Sequence, residues 1–259
     1  MVRTTEQLSA AASVGILGVS AVGKEELAVD YLAPALDMVV VNTGKSIRGA
    51  AYMAHQLGQF EGGRGNALRL RSGAESCVRD WVTEGQRGLR FVVRRHDRSA
   101  HIFFGDTDMT DVLRPDGKGF ARQRIMEPAA ALIAANPTIR QGLNDLWRTT
   151  AIRLGGAIIV TKRIDDYLPE AHGKYFLYVT DPRVLAEYRM VRGVSATDWL
   201  ADEVSYLAAR DRLHGSYELD VVPDGAFRID MTHMLLKRSG MQKAASTVIA
   251  DLAAKFSHR

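Results

Sequence analysis

The chain has 259 residues, 46% of them hydrophobic and 25% charged, with a formal net charge of +4. That size permits one large domain or two modest ones, and the balance is that of a packed globular protein, not a disordered or fibrous one. A single cysteine, Cys77, excludes an internal disulfide and a Cys-based zinc site. No apolar stretch is long enough to span a bilayer. The first residues lack the order of a signal peptide, because Glu6 precedes an apolar run broken by Gly15 and Gly18. A cytoplasmic protein is expected. Most of the 34 basic residues are Arg, whose planar fork suits phosphate and carboxylate better than an ammonium does.

In chain order, Val14–Val19 reads as a strand and is followed by Gly18-Val-Ser-Ala-Val-Gly23-Lys24-Glu25, which leads into a helix through Leu27 and Tyr31. Gly18, Gly23 and Lys24 match the first part of G-x-x-x-x-G-K-[ST], a loop whose backbone N–H groups and Lys cradle phosphates while its hydroxyl holds Mg²⁺. Glu25 stands where that hydroxyl belongs, and the bland alternative is a glycine turn before a helix. A second echo, Asn42-Thr43-Gly44-Lys45-Ser46, follows the strand Asp37–Val41, with Val39 in place of the first glycine. Asn42 or Thr43 as an N-cap explains it equally well. Lys24 and Lys45 are the two candidates for holding a phosphorylated ligand.

The helix Ile47–Leu57 carries one apolar face. Glu61-Gly62-Gly63-Arg64-Gly65-Asn66 is a glycine-rich loop, and Arg69 and Arg71 alternate with Leu68 and Leu70 beyond it. Ala74–Glu84 is a helix with Val78, Trp81 and Val82 inward. Leu89–Val93 and Ala100–Phe104 form a hairpin whose basic positions, Arg90, Arg94, Arg95 and Arg98, interleave with Phe91, Phe103 and Phe104. Crowded like charges repel, so an anion is expected to compensate them. Cations beside aromatic faces are what single-stranded nucleic-acid platforms use.

The acidic loop Gly105-Asp106-Thr107-Asp108-Met109-Thr110-Asp111 comes next. Taken alone, its strand-D-x-D-x-T order resembles the nucleophile loop of haloacid-dehalogenase-like phosphatases. That resemblance covers this loop only, and implies Asp106 as nucleophile, Asp108 as acid/base and a Mg²⁺ between carboxylate and phosphate. The bland reading is an acidic cap on the next turn.

Arg114–Gly119 reads as a turn or linker, the best boundary candidate, with Arg122 and Arg124 just beyond it. Pro128–Ala135 is a small-residue helix. Asn136 and Pro137 open another, with Ile139, Leu143, Leu146, Trp147, Thr150 and Leu154 on one stripe. Ala157–Val160 and Tyr175–Val179 are continuous apolar runs, as in buried central strands. Asp181-Pro182 starts a helix, a longer one runs to Leu213, and Tyr217–Val222 with Phe227–Met231 reads as a second hairpin around Pro223-Asp224-Gly225. Met241–Phe256 is a closing amphipathic helix that packs on the core or on a second subunit. None of the seven His residues shows metal-pair spacing.

These readings give a mixed, helix-rich α+β chain with short strands and two hairpins. It divides into a basic region, residues 1–115, and a helix-rich region, residues 116–259, or forms one continuous domain. The expected function is non-enzymatic nucleic-acid binding, DNA or RNA, through Arg64, Arg69, Arg71, Arg90, Arg94, Arg95 and Arg98, extended by Arg122 and Arg124, with no cofactor, metal or membrane partner. Two alternatives stand beside it. One is a phosphate- or nucleotide-handling enzyme using the Gly/Lys loops with Asp106 and Asp108. The other is a self-assembling structural subunit, a homo-oligomer or part of a larger assembly.

Overall fold

Four apolar runs of the sequence lie side by side in one sheet. The computed structural model describes residues 12–63, 66–85, 87–94, 97–110, 112–113, 126–192, 199–213, 222–237 and 239–257. They form two units: a sheet unit, built from the chain up to Val41 and from Ala151 onward, and an inserted unit, Asn42–Thr150. The fold is mixed α and β and helix-rich, with a five-stranded parallel sheet and two small antiparallel ones.

In the sheet unit, strand β1 (Val14–Gly18) is buried along its whole length, as a strand covered on both faces must be. Helix α1 (residues 24–36) follows it, α-helical at Lys24–Glu26, π-helical at Leu27–Leu32 and α-helical again at Ala33–Leu36. Asp37, at φ 51°, ends it in the left-handed region. Strand β2 (Val40–Asn42) then runs along one edge of the sheet.

Among the described residues the inserted unit has nine elements. Helix α2 (Thr43–Gln56) is followed by β3 (Phe60–Gly63), β4 (Asn66–Leu70) and α3 (Ala74–Thr83). Strands β5 (Leu89–Val92), β6 (His101–Phe104) and β7 (Thr107–Asp108) come next. Helices α4 (Met126–Ala135) and α5 (Pro137–Arg153) close the unit, α5 running on into the sheet unit. The chain then adds β8 (Ile158–Val160), β9 (Gly173–Tyr178), α6 (Pro182–Val191), α7 (Leu200–Leu213), β10 (Phe227–Asp230) and α8 (Gly240–Ser257).

The parallel sheet has the order β10-β9-β1-β8-β2. β1 pairs with β8 from Val14↔Ile158 to Ile16↔Val160, and with β9 from Val14↔Gly173 to Gly18↔Leu177. From β1 the chain goes out to the β2 edge, returns to β8, crosses to β9 and continues outward to β10. The order reverses about β1, which is where open α/β sheets open a crevice at their carboxyl ends. One core fills the unit: Ile16, Ile158, Tyr175 and Leu177 of the sheet pack with Leu27 and Leu32 of α1 and with Met241, Ala245, Val248 and Leu252 of α8.

In the inserted unit the predicted hairpin is present: β5 and β6 pair antiparallel from Leu89↔Phe104 to Val92↔His101, and β7 adds beside β6. The small face of α2 lies close to this sheet. A Cβ on Gly49 would stand 3.2 Å from Leu89 and 3.4 Å from Ile102, so a larger residue there would wedge the layers apart. Trp147 of α5 is fully buried, and its indole N–H donates to the Ser46 hydroxyl at 2.7 Å. Replacing Ser46 with Ala takes this acceptor from the buried indole N–H. We expect a loss of about 1–3 kcal/mol of stability, read as a lower urea midpoint with an unchanged slope.

The strand at Phe227–Asp230 joins the sheet parallel to β9, Phe227↔Tyr175 through Asp230↔Tyr178. All but Val222 of its expected hairpin partner, Tyr217–Val222, lies outside the described residues, as does the boundary at 114–119. Among the described residues no helix is long and apolar enough to cross a membrane.

Candidate functional site

The loop from Gly18 to Gly23 leaves the carboxyl end of β1 at the reversal of strand order and enters α1 at Lys24. Its conformation is unusual. Gly18 has φ 135° and Gly23 φ 79°, and between them Ala21 holds φ 66°. A non-glycine residue there costs roughly 1–2 kcal/mol, and strain of this kind gathers where backbone groups are held for a ligand. Turns that alternate in hand point successive N–H groups into one concavity, which binds anions.

The loop is tightly seated. A Cβ on Gly18 would lie 2.0 Å from the Leu177 carbonyl oxygen of β9, and one on Gly23 would lie 2.1 Å from the Met241 methyl of α8. Val22 is fully buried and Ser20 nearly so. The Lys24 ammonium turns back over the loop and donates to the carbonyls of Gly18 at 2.8 Å and Val19 at 2.5 Å. Its charge therefore sits above the loop.

Other carboxyl ends add to this edge. Thr161, directly after β8, donates its N–H to the Ile16 carbonyl at 3.1 Å, and Lys162 and the exposed Arg163 follow it. After β9, Asp181 caps α6, accepting from the Arg183 N–H at 2.9 Å. The Thr180 N–H donates to the Thr232 hydroxyl beyond β10 at 2.8 Å.

Acids stand on the first turns of α1. Glu26 accepts from the Tyr188 hydroxyl and from the Arg192 guanidinium, both of the α6 segment. Burial, then the Glu26 carboxylate, pushes the Tyr188 hydroxyl up to about 12. Burial raises the Asp30 carboxyl as well, with the charges of Glu26 and Glu25 adding to it and Arg192 opposing. Glu25 is half-buried, one residue beyond Lys24.

The second echo has a different geometry. β2 ends at Asn42 and α2 begins at Thr43, so no loop intervenes to cradle an anion. The Asn42 side chain caps the helix by accepting from the Gly44 N–H at 3.0 Å, and Lys45 lies in its first turn.

The arginines of the expected basic surface fall in two groups. On the β3–β4 sheet, the exposed Arg69 stands opposite Glu61, and the Arg71 Nε donates to the Phe60 carbonyl at 3.4 Å. On the β5–β6 hairpin, Arg90 and Arg94 lie over the same Phe103 ring, 5.6 Å and 5.7 Å from its centroid. Both have anions within the fold: Arg90 meets Asp106 at 3.5 Å and Arg94 meets Asp108 at 2.7 Å. Arg98 is exposed near the tip and is also engaged. Arg64, Arg95, Arg122 and Arg124 lie outside the described residues.

Asp106 sits in the turn between β6 and β7 and is fully exposed. Asp108 is held by Arg94, by His101 at 3.1 Å and by the Thr110 N–H at 2.9 Å. Burial pushes its carboxyl up, but the Thr110 and His101 hydrogen bonds outweigh this and leave it below its ordinary value. A depressed carboxyl contributes stability above its unfolded value and loses it as pH falls through the folded one. The inserted unit should therefore lose stability on acidification below the usual carboxylate range. In Asp108→Asn that part of the pH dependence should vanish, as followed by Trp fluorescence in denaturant titrations. An undiminished acid slope in the variant would exclude Asp108 as its source.

Among the described residues no group of three or more His, Cys, Asp or Glu is placed to hold a metal ion. The sequence reading identified Gly18, Gly23 and Lys24, but not Lys162 and Arg163, which come to the same end of the sheet only through strand order. The signal was present in the apolar runs at 14–18, 37–41, 157–160 and 175–179, which together describe a parallel sheet around the loop. Comparison of the chain with protein-family models and with curated proteins found no match.

Proposed function

We propose that the sheet unit binds a nucleoside triphosphate by its phosphates and that the protein is a phosphate-handling enzyme of the phosphoryl-transfer class. The observation that carries this is the Gly18–Gly23 loop itself, strained at Ala21, with Lys24 folded over it at the reversal point of a parallel sheet. Such reactions need little covalent chemistry from the protein. Catalysis is positioning plus neutralisation of charge on the phosphoryl oxygens. The backbone N–H groups of the loop would hold the phosphate chain, and Lys24 would exchange its two carbonyl partners for phosphate oxygens. Arg163, exposed after β8, supplies a further cation at that edge. A divalent ion, when bound with the triphosphate, would screen its charge. Glu25 offers the hard oxygen such an ion prefers.

The test is a thermal-shift screen with ATP, GTP, CTP and UTP, each with and without MgCl₂. Saturation at about 100 times the dissociation constant stabilises by about 2.7 kcal/mol, equivalent to a rise of roughly 5–10 °C for a chain of this size. If none of the four moves the transition at millimolar concentration, the reading fails.

A second reading is polynucleotide contact through the β5–β6 face, favoured by Phe103 lying under both Arg90 and Arg94. Asp106 and Asp108 compete with phosphates for those cations. Binding of a single-stranded oligonucleotide at low salt, abolished in an Arg90→Ala, Arg94→Ala double variant, would support it. Equal binding by the variant would remove it.

A further inference from the structure

Arg90 and Arg94 share the Phe103 ring, but their anions are held in unlike ways. We propose that Asp106 is a built-in counter-anion on Arg90 that a phosphate of a single-stranded polynucleotide displaces, while Asp108 keeps Arg94 as a fixed part of the fold. The inference rests on the second reading above, polynucleotide contact through the β5–β6 face.

Antiparallel pairing sets Arg90 opposite Phe103 and Phe103 opposite Asp108. Directly paired residues share a face, so these three project from one side of the sheet, and the buried Leu89, Phe91 and Ile102 from the other. Asp108 is committed to this arrangement. It accepts from the Arg94 guanidinium at 2.7 Å and from the Thr110 N–H at 2.9 Å. It also lies 3.1 Å from the His101 Nδ1, and the other ring nitrogen of His101 stands 2.9 Å from Asp97. Pulling Arg94 away from Asp108 would disturb a connected set of contacts.

Asp106 has no such support. Its carboxylate is fully exposed and meets Arg90 at 3.5 Å, beyond the roughly 2.7–2.9 Å of a charge-assisted hydrogen bond. Arg90 is its one partner among the described residues. Water solvates Asp106 whether or not it stays there, so its departure costs little. Arg90 is the reverse case. Its side chain is mostly covered, and its Nε is buried with no hydrogen-bond partner among the described residues. Part of the guanidinium has given up water without gaining an acceptor, which strengthens the pull of the remaining donors on an anion. A phosphodiester has the same charge as the carboxylate it replaces, so fit decides the exchange. It offers two oxygens to the terminal nitrogens, and Phe103, with its ring centroid 5.6 Å from the guanidinium, supplies an aromatic neighbour for the attached base.

The experiment follows fluorescence anisotropy of labelled oligodeoxythymidine and oligouridine with the full chain over a range of salt. Five proteins are compared: wild type, Asp106→Asn, Arg90→Ala, the Arg90→Ala, Asp106→Asn double variant and the Arg90→Ala, Arg94→Ala double variant. Asp106→Asn removes one negative charge at contact distance and should bind roughly fivefold tighter at low salt, with an unchanged melting temperature. Its salt dependence should be steeper, because a phosphate that neutralises an unpaired cation releases more salt ions than one that takes over from a carboxylate. In the Arg90→Ala background the same change should give no gain. Wild-type affinity in Asp106→Asn, or an equal gain with and without Arg90, overturns the proposal while the second reading stands on the loss of binding in Arg90→Ala, Arg94→Ala. Equal binding by that double variant, or no binding by any of the five proteins, removes the second reading and the proposal with it.

Discussion

Lys24→Ala should lose nucleotide binding while keeping its fold. The ammonium now donates to the Gly18 and Val19 carbonyls, and Gly18 is buried. Removing the side chain therefore takes a donor from a buried carbonyl, and a stability loss of about 1–3 kcal/mol is expected beside the loss of binding. Binding differs, because a charge-assisted hydrogen bond to an anion contributes about 1.5–3 kcal/mol and Lys24 is placed to make more than one. A weakening of roughly 30- to 1000-fold is expected, read by titration calorimetry with circular dichroism and melting as controls. Lys24→Arg should recover little of it: the guanidinium keeps the charge but cannot curl over the loop as a compact ammonium does. Wild-type affinity in Lys24→Ala, with the nucleotide shift intact, would place the bound anion elsewhere.

What the sequence made legible was local. The hairpin at 89–104, the Asn42 and Asp181 caps, the buried stripe of α5 and the apolar face of α8 all follow from period, capping chemistry and turn residues. They depend on neighbours a few positions apart. The strand at Phe227–Asp230 shows the limit. Its expected hairpin partner lies outside the described residues, while its described pairing is to β9, some fifty residues back, and no local pattern encodes that pairing. The site divides in the same way. Gly18, Gly23 and Lys24 stand out by spacing alone, and Glu25 counts against them by the same rule. The weight of the loop changes only when β1 is placed centrally in a parallel sheet, with β8 on one side and β9 on the other. The arginine hairpin illustrates the converse. Clustered cations in the sequence suggest an unbalanced surface, but antiparallel pairing brings Asp108 opposite Phe103 and within reach of Arg94. Charge read along the chain overstates charge left over after folding.

Gly18→Ala should be among the most damaging single substitutions in the sheet unit, and the damage has two separable parts. The first is conformational: φ 135° is a region that L side chains rarely adopt. The second is steric, because the new Cβ would lie 2.0 Å from the Leu177 carbonyl oxygen and 2.9 Å from its carbon. That neighbour is backbone in the adjacent strand and cannot turn aside. Relief requires β1 and β9 to separate at their carboxyl ends, which breaks the Val19 N–H bond to Leu177 and shifts the loop. A loss of roughly 3–5 kcal/mol is expected, the range of severe backbone and packing conflicts. Gly155→Ala in the same unit isolates the first part. Gly155 also has a positive φ, 69°, but nothing lies within 4 Å of its added Cβ, so only about 1–2 kcal/mol should be lost. Guanidinium denaturation of both variants measures the difference. If Gly18→Ala falls no further than Gly155→Ala, β1 and β9 are not held together at this point as tightly as the geometry requires. If it falls further and nucleotide stabilisation is lost with it, the contact that fixes the sheet is also the one that shapes the loop.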